Sequence, residues 1–172
     1  AFTDEPIHDT SQLVDDHASG DLPIVLLVED NADVLHFIAS VLKPQYHLIY
    51  AYNGREGLQR AVEEVPDLVI TDLMMPQMDG LEMCRQIRAN DVVSHVPIIV
   101  VTARGETSDR LSAIQTGADA YLVKPFDADE LTALVDRLLE QRKKLREHFS
   151  KAIVEDAVSD VHMRSEERRV GK

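Results

Sequence analysis

Short apolar runs alternate with amphipathic stretches from Pro23 to about Leu139. The runs are too short for helices and are typical of parallel strands that are covered on both faces. They predict strands at 24–28, 46–51, 68–71, 97–101 and 120–123. The stretches between them carry apolar residues at helical spacing. These predict helices at 34–42, 58–65, 81–89 and about 106–116, followed by a long last helix with an N-cap at Asp127.

Five strand–helix units in strict alternation imply an α/β fold, a doubly wound five-stranded parallel sheet with five helices on its two faces. Asn53-Gly54 is predicted to turn the chain before the second helix, and Gly80 to occupy a turn that needs a positive φ. Ligand chemistry in such sheets lies beyond the carboxyl ends of the strands. The residues that directly follow the strands are therefore the candidates for function.

Every candidate at these strand ends is polar: Glu29, Asp30, Asp72, Thr102 and Lys124. Carboxylates that share one crevice repel each other, and at about 4 Å with an effective dielectric near 20 each pair costs roughly 4 kcal/mol. A cation is therefore expected between them, and an all-oxygen set of ligands suits Mg²⁺. The alternative is that the acids are solvated loop residues, which are common in a chain whose formal net charge is -13, and that Lys124 is an exposed loop cation without a function.

Four sequence blocks contain these residues: Val-Glu-Asp-Asn at 28–31, Thr-Asp-Leu-Met-Met-Pro at 71–76, Val-Thr-Ala at 101–103 and Lys-Pro-Phe at 124–126. Thr102 follows Asp72 by 30 residues, and Lys124 follows Thr102 by 22. The blocks and their spacing resemble those of response-regulator receiver domains of two-component systems, over about residues 23–142. The resemblance implies a flavodoxin-like sheet with strand order 2-1-3-4-5 and a signalling domain rather than a metabolic enzyme.

The resemblance also implies a role for each residue of the site. Asp72 would accept a phosphoryl group from a histidine kinase. Asp30 and Asp72 would ligate Mg²⁺ directly, Glu29 would help through water, and the backbone carbonyl of Met74 would be the third protein ligand.

Three further residues complete the implied chemistry and an implied switch. Lys124 and the Thr102 hydroxyl would contact phosphoryl oxygens, with the Lys124–Pro125 peptide bond cis. Thr102 would then move towards the phosphoryl group and the ring of Tyr121 would turn inward, which changes an output surface. A static aromatic residue on an edge strand is the alternative for Tyr121.

The flanks divide the chain into an acidic linker at 1–22, the receiver domain at 23–142, and a helical extension with a tail at 143–172. Apolar residues of the last helix form a heptad seam with a charged break at Arg142: Leu131, Val135, Leu138, Leu145, Phe149 and Ala152. Beyond Arg142 we expect either a projecting helix that contacts a second copy or an effector, or a frayed linker. Homodimers are expected through this helix, or through the face of the fourth helix, fifth strand and last helix. The arrangement and the initial Ala1 resemble a fragment of a hybrid sensor histidine kinase.

Charge and composition limit the partners and the compartment. The net charge disfavours direct nucleic-acid binding and contact with anionic membranes. No apolar run approaches the roughly 20 residues of a membrane span, and no signal-peptide pattern is present, so a cytoplasmic domain is expected. Cys84, the single cysteine, is expected to be a half-buried helix residue. Met74, Met75 and Met78 are expected to fill gaps in a loop rather than to bind a soft metal.

Other classes of protein fit less well. A haloacid dehalogenase needs a second Asp two residues after the first, where this chain has Met74. The glycine-rich motifs of P-loop hydrolases and dinucleotide-binding enzymes do not occur. An adaptor that keeps the fold without its chemistry stays open, although all five polar positions are present.

Overall fold

The computed structural model describes residues 22–103, 115 and 117–169, with side chains to Arg164. Five parallel strands form one sheet in the order β2-β1-β3-β4-β5. The strands are β1 (Ile24–Val28), β2 (His47–Ala51), β3 (Leu68–Asp72), β4 (Ile98–Ala103) and β5 (Ala120–Lys124). The described helices are α1 (Ala32–Leu42), α2 (Gly54–Glu64), α3 (Gly80–Ala89) and α4 (Ala128–Arg169). The doubly wound sheet and its strand order confirm the prediction. The helix predicted at about 106–116 lies outside the described residues except for residue 115.

The two faces of the sheet are covered by two apolar layers. Successive residues of β1 point to opposite faces, so Val25 and Leu27 pack in one layer and Leu26 and Val28 in the other. The first layer buries residues of α1 and α4, and the second buries residues of α2 and α3. Because both faces of the central strands are buried, their sequences read as continuous apolar runs rather than as alternating ones.

The helices begin where a side chain accepts the first free backbone N–H groups. Asn31, Asn53 and Asp79 cap α1, α2 and α3 in this way. At the start of α4, Asp127 Oδ1 accepts from the Glu130 N–H at 2.8 Å, and the Asp127 N–H donates to Glu130 Oε2 at 3.3 Å. This reciprocal pair is a capping box, and caps of this kind are worth about 1 kcal/mol each. The N-cap predicted at Asp127 is confirmed.

The last helix leaves the body of the domain at Arg142. Its guanidinium Nη1 donates to the carbonyls of Asp67, at 2.5 Å, and of Pro66, at 3.2 Å. Asp67 in turn accepts the Ile24 N–H at 2.8 Å, so the cluster joins the start of β1, the approach to β3 and the helix. The charged break in the apolar seam is therefore a partly buried attachment point, with 10% of the Arg142 side chain exposed, rather than an exposed interruption. Every described side chain from 143 to 164 is exposed.

Cys84 lies deeper than its sequence context suggested. Its side chain is fully buried in the layer beneath α2 and α3, so the expectation of a half-buried residue was wrong. Burial raises the pKa of the Cys84 thiol to about 12. We expect the native chain to react negligibly with a thiol reagent at neutral pH and to react fully in denaturant, because the thiolate is the reactive form. Complete labelling of the native chain within the mixing time would contradict this burial.

Candidate functional site

Register in the sheet brings the candidate residues to one edge. Val28 pairs with Thr71, so Glu29 follows β1 beside Asp72 at the end of β3. Asp72 pairs with Val101, one residue before Thr102 in β4. In the next ladder Ala103 pairs with Lys124, the last residue of β5. The carboxyl ends of four strands therefore present three acids, a hydroxyl and an ammonium to the same crevice.

The three acids form a compact oxygen cluster. One carboxylate oxygen each of Glu29, Asp30 and Asp72 lies within 4.8 Å of the other two. Glu29 is buried, with 3% of its surface exposed, whereas Asp30 is exposed and Asp72 is intermediate. The Asn31 N–H donates to Glu29 Oε1 at 3.0 Å, and the Leu73 N–H donates to Asp72 Oδ1 at 2.8 Å. These backbone bonds hold two of the three carboxylates in place.

The cationic and hydroxyl groups lie against this cluster. Lys124 Nζ is 3.6 Å from Asp72 Oδ1 and 3.8 Å from Glu29 Oε2. Both distances exceed an ordinary hydrogen bond, so the ammonium balances charge without closing directly on either oxygen. Thr102 is buried, and its Oγ1 has no hydrogen-bond partner among the described residues. Lys124 is therefore an ion-paired residue of the crevice rather than an exposed loop cation.

The electrostatics of the crevice favour an additional positive charge. Burial raises the pKa of Glu29 to about 7, and the charge of Asp72 adds to the rise. The Asn31 N–H and Lys124 act in the opposite direction but do not cancel it. Glu29 Oε2 is buried without a hydrogen bond within the described part of the chain. A hard cation would stabilise the ionised carboxylates, so the all-oxygen donor set fits Mg²⁺.

The loop after β3 takes its shape from two backbone features. Gln77 has a φ of 68°, and the Met78 N–H donates to the Pro76 carbonyl at 2.9 Å, which together form a strained γ-turn. Gly80, however, does not have a positive φ, so that expectation was wrong. A Cβ built on Gly80 would stand 2.2 Å from the Asp72 carbonyl oxygen. Glycine is needed here for space, because the first turn of α3 packs directly on the backbone of Asp72.

The methionines of this loop differ from one another. Met75 and Met78 are partly buried against the layer beneath α2 and α3, as expected of gap-filling side chains. Met74 instead has 66% of its surface exposed, so the packing expectation was wrong for that residue. The position of Met74 between Asp72 and the γ-turn leaves its carbonyl as a predicted ligand.

A sequence model of a known family matches residues 25–136, and its description is response regulator receiver domain. The chain belongs to this family. It is a receiver domain of two-component signalling, which agrees with the four sequence blocks and with the fold.

Curated relatives of the receiver domain include both larger kinases and response regulators. It is 39% identical over 133 residues to hybrid signal transduction histidine kinase D of Dictyostelium discoideum, covering 76% of this chain and 9% of that protein. It is 40% identical over 119 residues to the response regulator ArlR of Staphylococcus saprophyticus, covering 69% of this chain and 53% of that protein. The chain therefore spans about a tenth to a half of these relatives.

Solved structures of receiver domains share the fold. The receiver domain of a sensor histidine kinase from Pseudomonas aeruginosa is 32% identical, with a TM-score of 0.65, over 69% of this chain and 98% of that one. That structure is described with a magnesium ion coordinated in the active site cleft. A response regulator from Chloroflexus aurantiacus gives a TM-score of 0.67 at 32% identity, over 69% of this chain and 98% of that one.

Three further predictions concern Tyr121, the Lys124–Pro125 bond and membrane contact. Tyr121, on the edge strand β5, is partly buried against the layer beneath α2 and α3, a position that is compatible with both the switch and the static alternative. The switch of Thr102 and Tyr121 therefore stays a prediction. The Lys124–Pro125 bond is cis, as the resemblance implied. Among the described helices, none combines the length and apolar character that crossing a bilayer requires.

Proposed function

We propose that this receiver domain accepts a phosphoryl group on Asp72 from the phosphorylated histidine of a sensor kinase. Glu29, Asp30 and Asp72, with the backbone carbonyl of Met74, would hold the Mg²⁺ that this chemistry uses. The observation that carries the proposal is the crevice itself, where three carboxylate oxygens lie within 4.8 Å and Lys124 Nζ stands 3.6 Å from Asp72. The alternative of solvated loop acids does not account for the burial of Glu29 or for its position 3.8 Å from Lys124 Nζ.

The proposed transfer follows from the chemistry of the side chains. A carboxylate oxygen of Asp72 attacks phosphorus, the bond from phosphorus to the histidine nitrogen breaks, and its electron pair stays on that nitrogen. The product is an acyl phosphate on Asp72. The Leu73 N–H orients the attacking carboxylate, which reduces the entropy cost of the encounter. Bound Mg²⁺ would offset negative charge on the phosphoryl oxygens.

Lys124 and Thr102 are proposed to recognise the transferred group. The Lys124 ammonium already balances Asp72 and can offset charge on a phosphoryl oxygen. The buried Thr102 hydroxyl, which lacks a described partner, can donate a hydrogen bond to another. Movement of Thr102 would vacate space for the ring of Tyr121, and this two-state change would alter the output surface.

The cellular setting belongs to the same proposal. We propose a receiver at 23–142 between an acidic linker at 1–22 and an extension at 143–172, within a cytoplasmic hybrid kinase. The domain would act as a signalling partner of a kinase rather than as an enzyme, and would bind neither nucleic acid nor membrane directly. Support comes from the hybrid kinase among its relatives and from the net charge of -13. Self-association would use the last helix, or the face that it forms with β5 and the helix predicted at about 106–116.

The test is phosphorylation of the purified chain by a small phosphodonor such as acetyl phosphate. With Mg²⁺ present, intact mass spectrometry should show the gain of one phosphoryl group, and peptide mapping should locate it at Asp72. Chelation of the metal should slow the gain by at least about a hundredfold, because charge neutralisation supplies much of the catalysis of phosphoryl transfer. Equal gain after chelation, or modification of another residue, would contradict the assignment.

A further inference from the structure

The part of α4 beyond Arg142 carries an exposed apolar row. Residues spaced by four are apolar throughout it: Leu145, Phe149, Ile153, Ala157 and Val161. Phe149 and Ile153 have 63% and 68% of their surface exposed. Rows with this spacing form ridges that pack between the ridges of another helix. An exposed apolar surface of this extent marks an interaction site.

Charged residues share the face of this row in a symmetrical pattern. An α-helix turns by about 100° per residue, which places Arg146 and Asp160 within about 20° of Ile153. Arg146 precedes Ile153 by seven residues and Asp160 follows it by seven. A twofold axis through Ile153 would set Arg146 opposite Asp160 of a second copy. The same axis would set Phe149 opposite Ala157, a large residue against a small one.

We propose that α4 packs antiparallel against α4 of a second copy of this chain, crossing at Ile153. This deepens the self-association part of the proposed function and uses no phosphoryl transfer. Apolar contact comes from Phe149, Ile153 and Ala157. Two Arg146–Asp160 pairs between the copies set the orientation. They replace weak, exposed ion pairs within one chain, Arg146 with Asp67 at 3.8 Å and Asp160 with Arg164 at 3.7 Å. The charges and side-chain sizes on this face of α4 are complementary to those of a second, antiparallel α4. The proposed occupant is therefore a second copy rather than another protein.

A parallel pair would be opposed by the same charges. It would place Arg146 on Arg146 and Asp160 on Asp160, and it would bring two copies of a chain with a net charge of -13 side by side. In the antiparallel pair the two Arg142 attachment points lie about 33 Å apart along the helix direction. Ridges of this spacing also favour crossing at about 50°, so the ends of each helix diverge from the partner's body.

Disulfide cross-linking tests the orientation, since the native Cys84 is buried and does not compete. Under mild oxidation, Ile153→Cys should couple to itself. Phe149→Cys alone should not, because its two copies would lie about 12 Å apart along the axis, beyond the reach of a disulfide. A mixture of Phe149→Cys and mass-tagged Ala157→Cys should give the mixed disulfide. Efficient self-coupling of Phe149→Cys would overturn the antiparallel arrangement.

Charge exchange tests the pairing by sedimentation of the full chain over a range of concentrations. Asp160→Arg should weaken dimerisation at least about tenfold, and adding Arg146→Asp should restore it. Glu155→Arg is the matched control, because it makes the same charge change about 160° away from Ile153 and should leave dimerisation unchanged. A dimer that ignores Asp160→Arg would overturn the pairing.

The remaining outcomes separate this proposal from the phosphoryl chemistry. Ile153→Asp should be monomeric yet still gain one phosphoryl group from acetyl phosphate with Mg²⁺. A wild-type chain that stays monomeric at every concentration would overturn the antiparallel pair and leave the phosphoryl acceptor untouched. A dimer that survives Ile153→Asp would place self-association on another face and would also overturn it.

Discussion

The Asp72→Asn chain is expected to fold normally and to gain no phosphoryl group under conditions that phosphorylate the wild type. An amide cannot act as the nucleophile that the carboxylate provides. The change also removes one of the acids that crowd Glu29, so the metal-free variant should gain on the order of 1 kcal/mol in the free energy of unfolding. Mg²⁺ should stabilise the variant less than the wild type. Intact mass spectrometry and denaturant titration with and without Mg²⁺ measure the three effects.

Asp91→Asn is the matched control for this substitution. Asp91 is exposed in the loop before β4, so the same change of side chain there should leave phosphorylation and the response to Mg²⁺ as they are. Phosphoryl gain by Asp72→Asn equal to that of the control would remove Asp72 as the acceptor.

Gly80→Ala is expected to be the most damaging small substitution near the site. Its methyl group would stand 2.2 Å from the Asp72 carbonyl oxygen, and backbone atoms cannot turn aside as a flexible side chain can. We expect a loss of about 1–3 kcal/mol in the free energy of unfolding. Phosphorylation should slow as well, because relief of the overlap displaces the strand end that carries Asp72.

Gly57→Ala, within α2, makes a useful comparison. Its Cβ would stand 2.7 Å from Met83 Sδ and 2.9 Å from a methyl of Val28, side-chain atoms that can shift. Alanine also favours the helix over glycine by about 1 kcal/mol, which offsets part of the cost. Denaturant titrations and acetyl phosphate time courses should therefore separate the two variants. Equal stability and equal phosphorylation of both would show that the overlap at Gly80 is relieved without moving Asp72.

Strand positions were predictable where apolar runs end at charges, and less so where a polar residue is buried. The run at 24–28 matches β1 because Glu29 and Asp30 end it. The predicted fourth strand stopped at Val101, two residues before the observed end of β4, because Thr102 looks like a loop residue in the sequence. Asn53-Gly54 was read as a turn, whereas Asn53 caps α2 and Gly54 is its first residue.

The roles of the glycines illustrate what local sequence cannot supply. A Cβ on Gly54 would stand 2.2 Å from the Met78 carbonyl oxygen, as one on Gly80 would from Asp72. Both glycines provide space between elements that are distant in the chain, and nothing in their neighbouring residues distinguishes this need from a positive φ. Only the tertiary packing reveals it.

The set of site residues followed from strand ends and spacing, but their individual environments did not. Glu29 and Asp30 are adjacent acids in the sequence, yet one is buried with a raised pKa and the other is exposed. The difference depends on how the chain turns after β1, where the Asn31 N–H holds the Glu29 carboxylate. Asn31 belongs to the first sequence block, but only the geometry shows that it both caps α1 and holds the Glu29 carboxylate.

The partly buried attachment at Arg142 makes the last helix a lever arm. The described helix runs 27 residues past this fulcrum, which is about 40 Å at 1.5 Å per residue. A tilt of about 10° there would carry its far end sideways by about 7 Å. Arg142 donates to the carbonyls of the two residues that precede β3, and β3 ends in Asp72. A slight reorientation of β3 would therefore produce a larger displacement at the far end of the last helix.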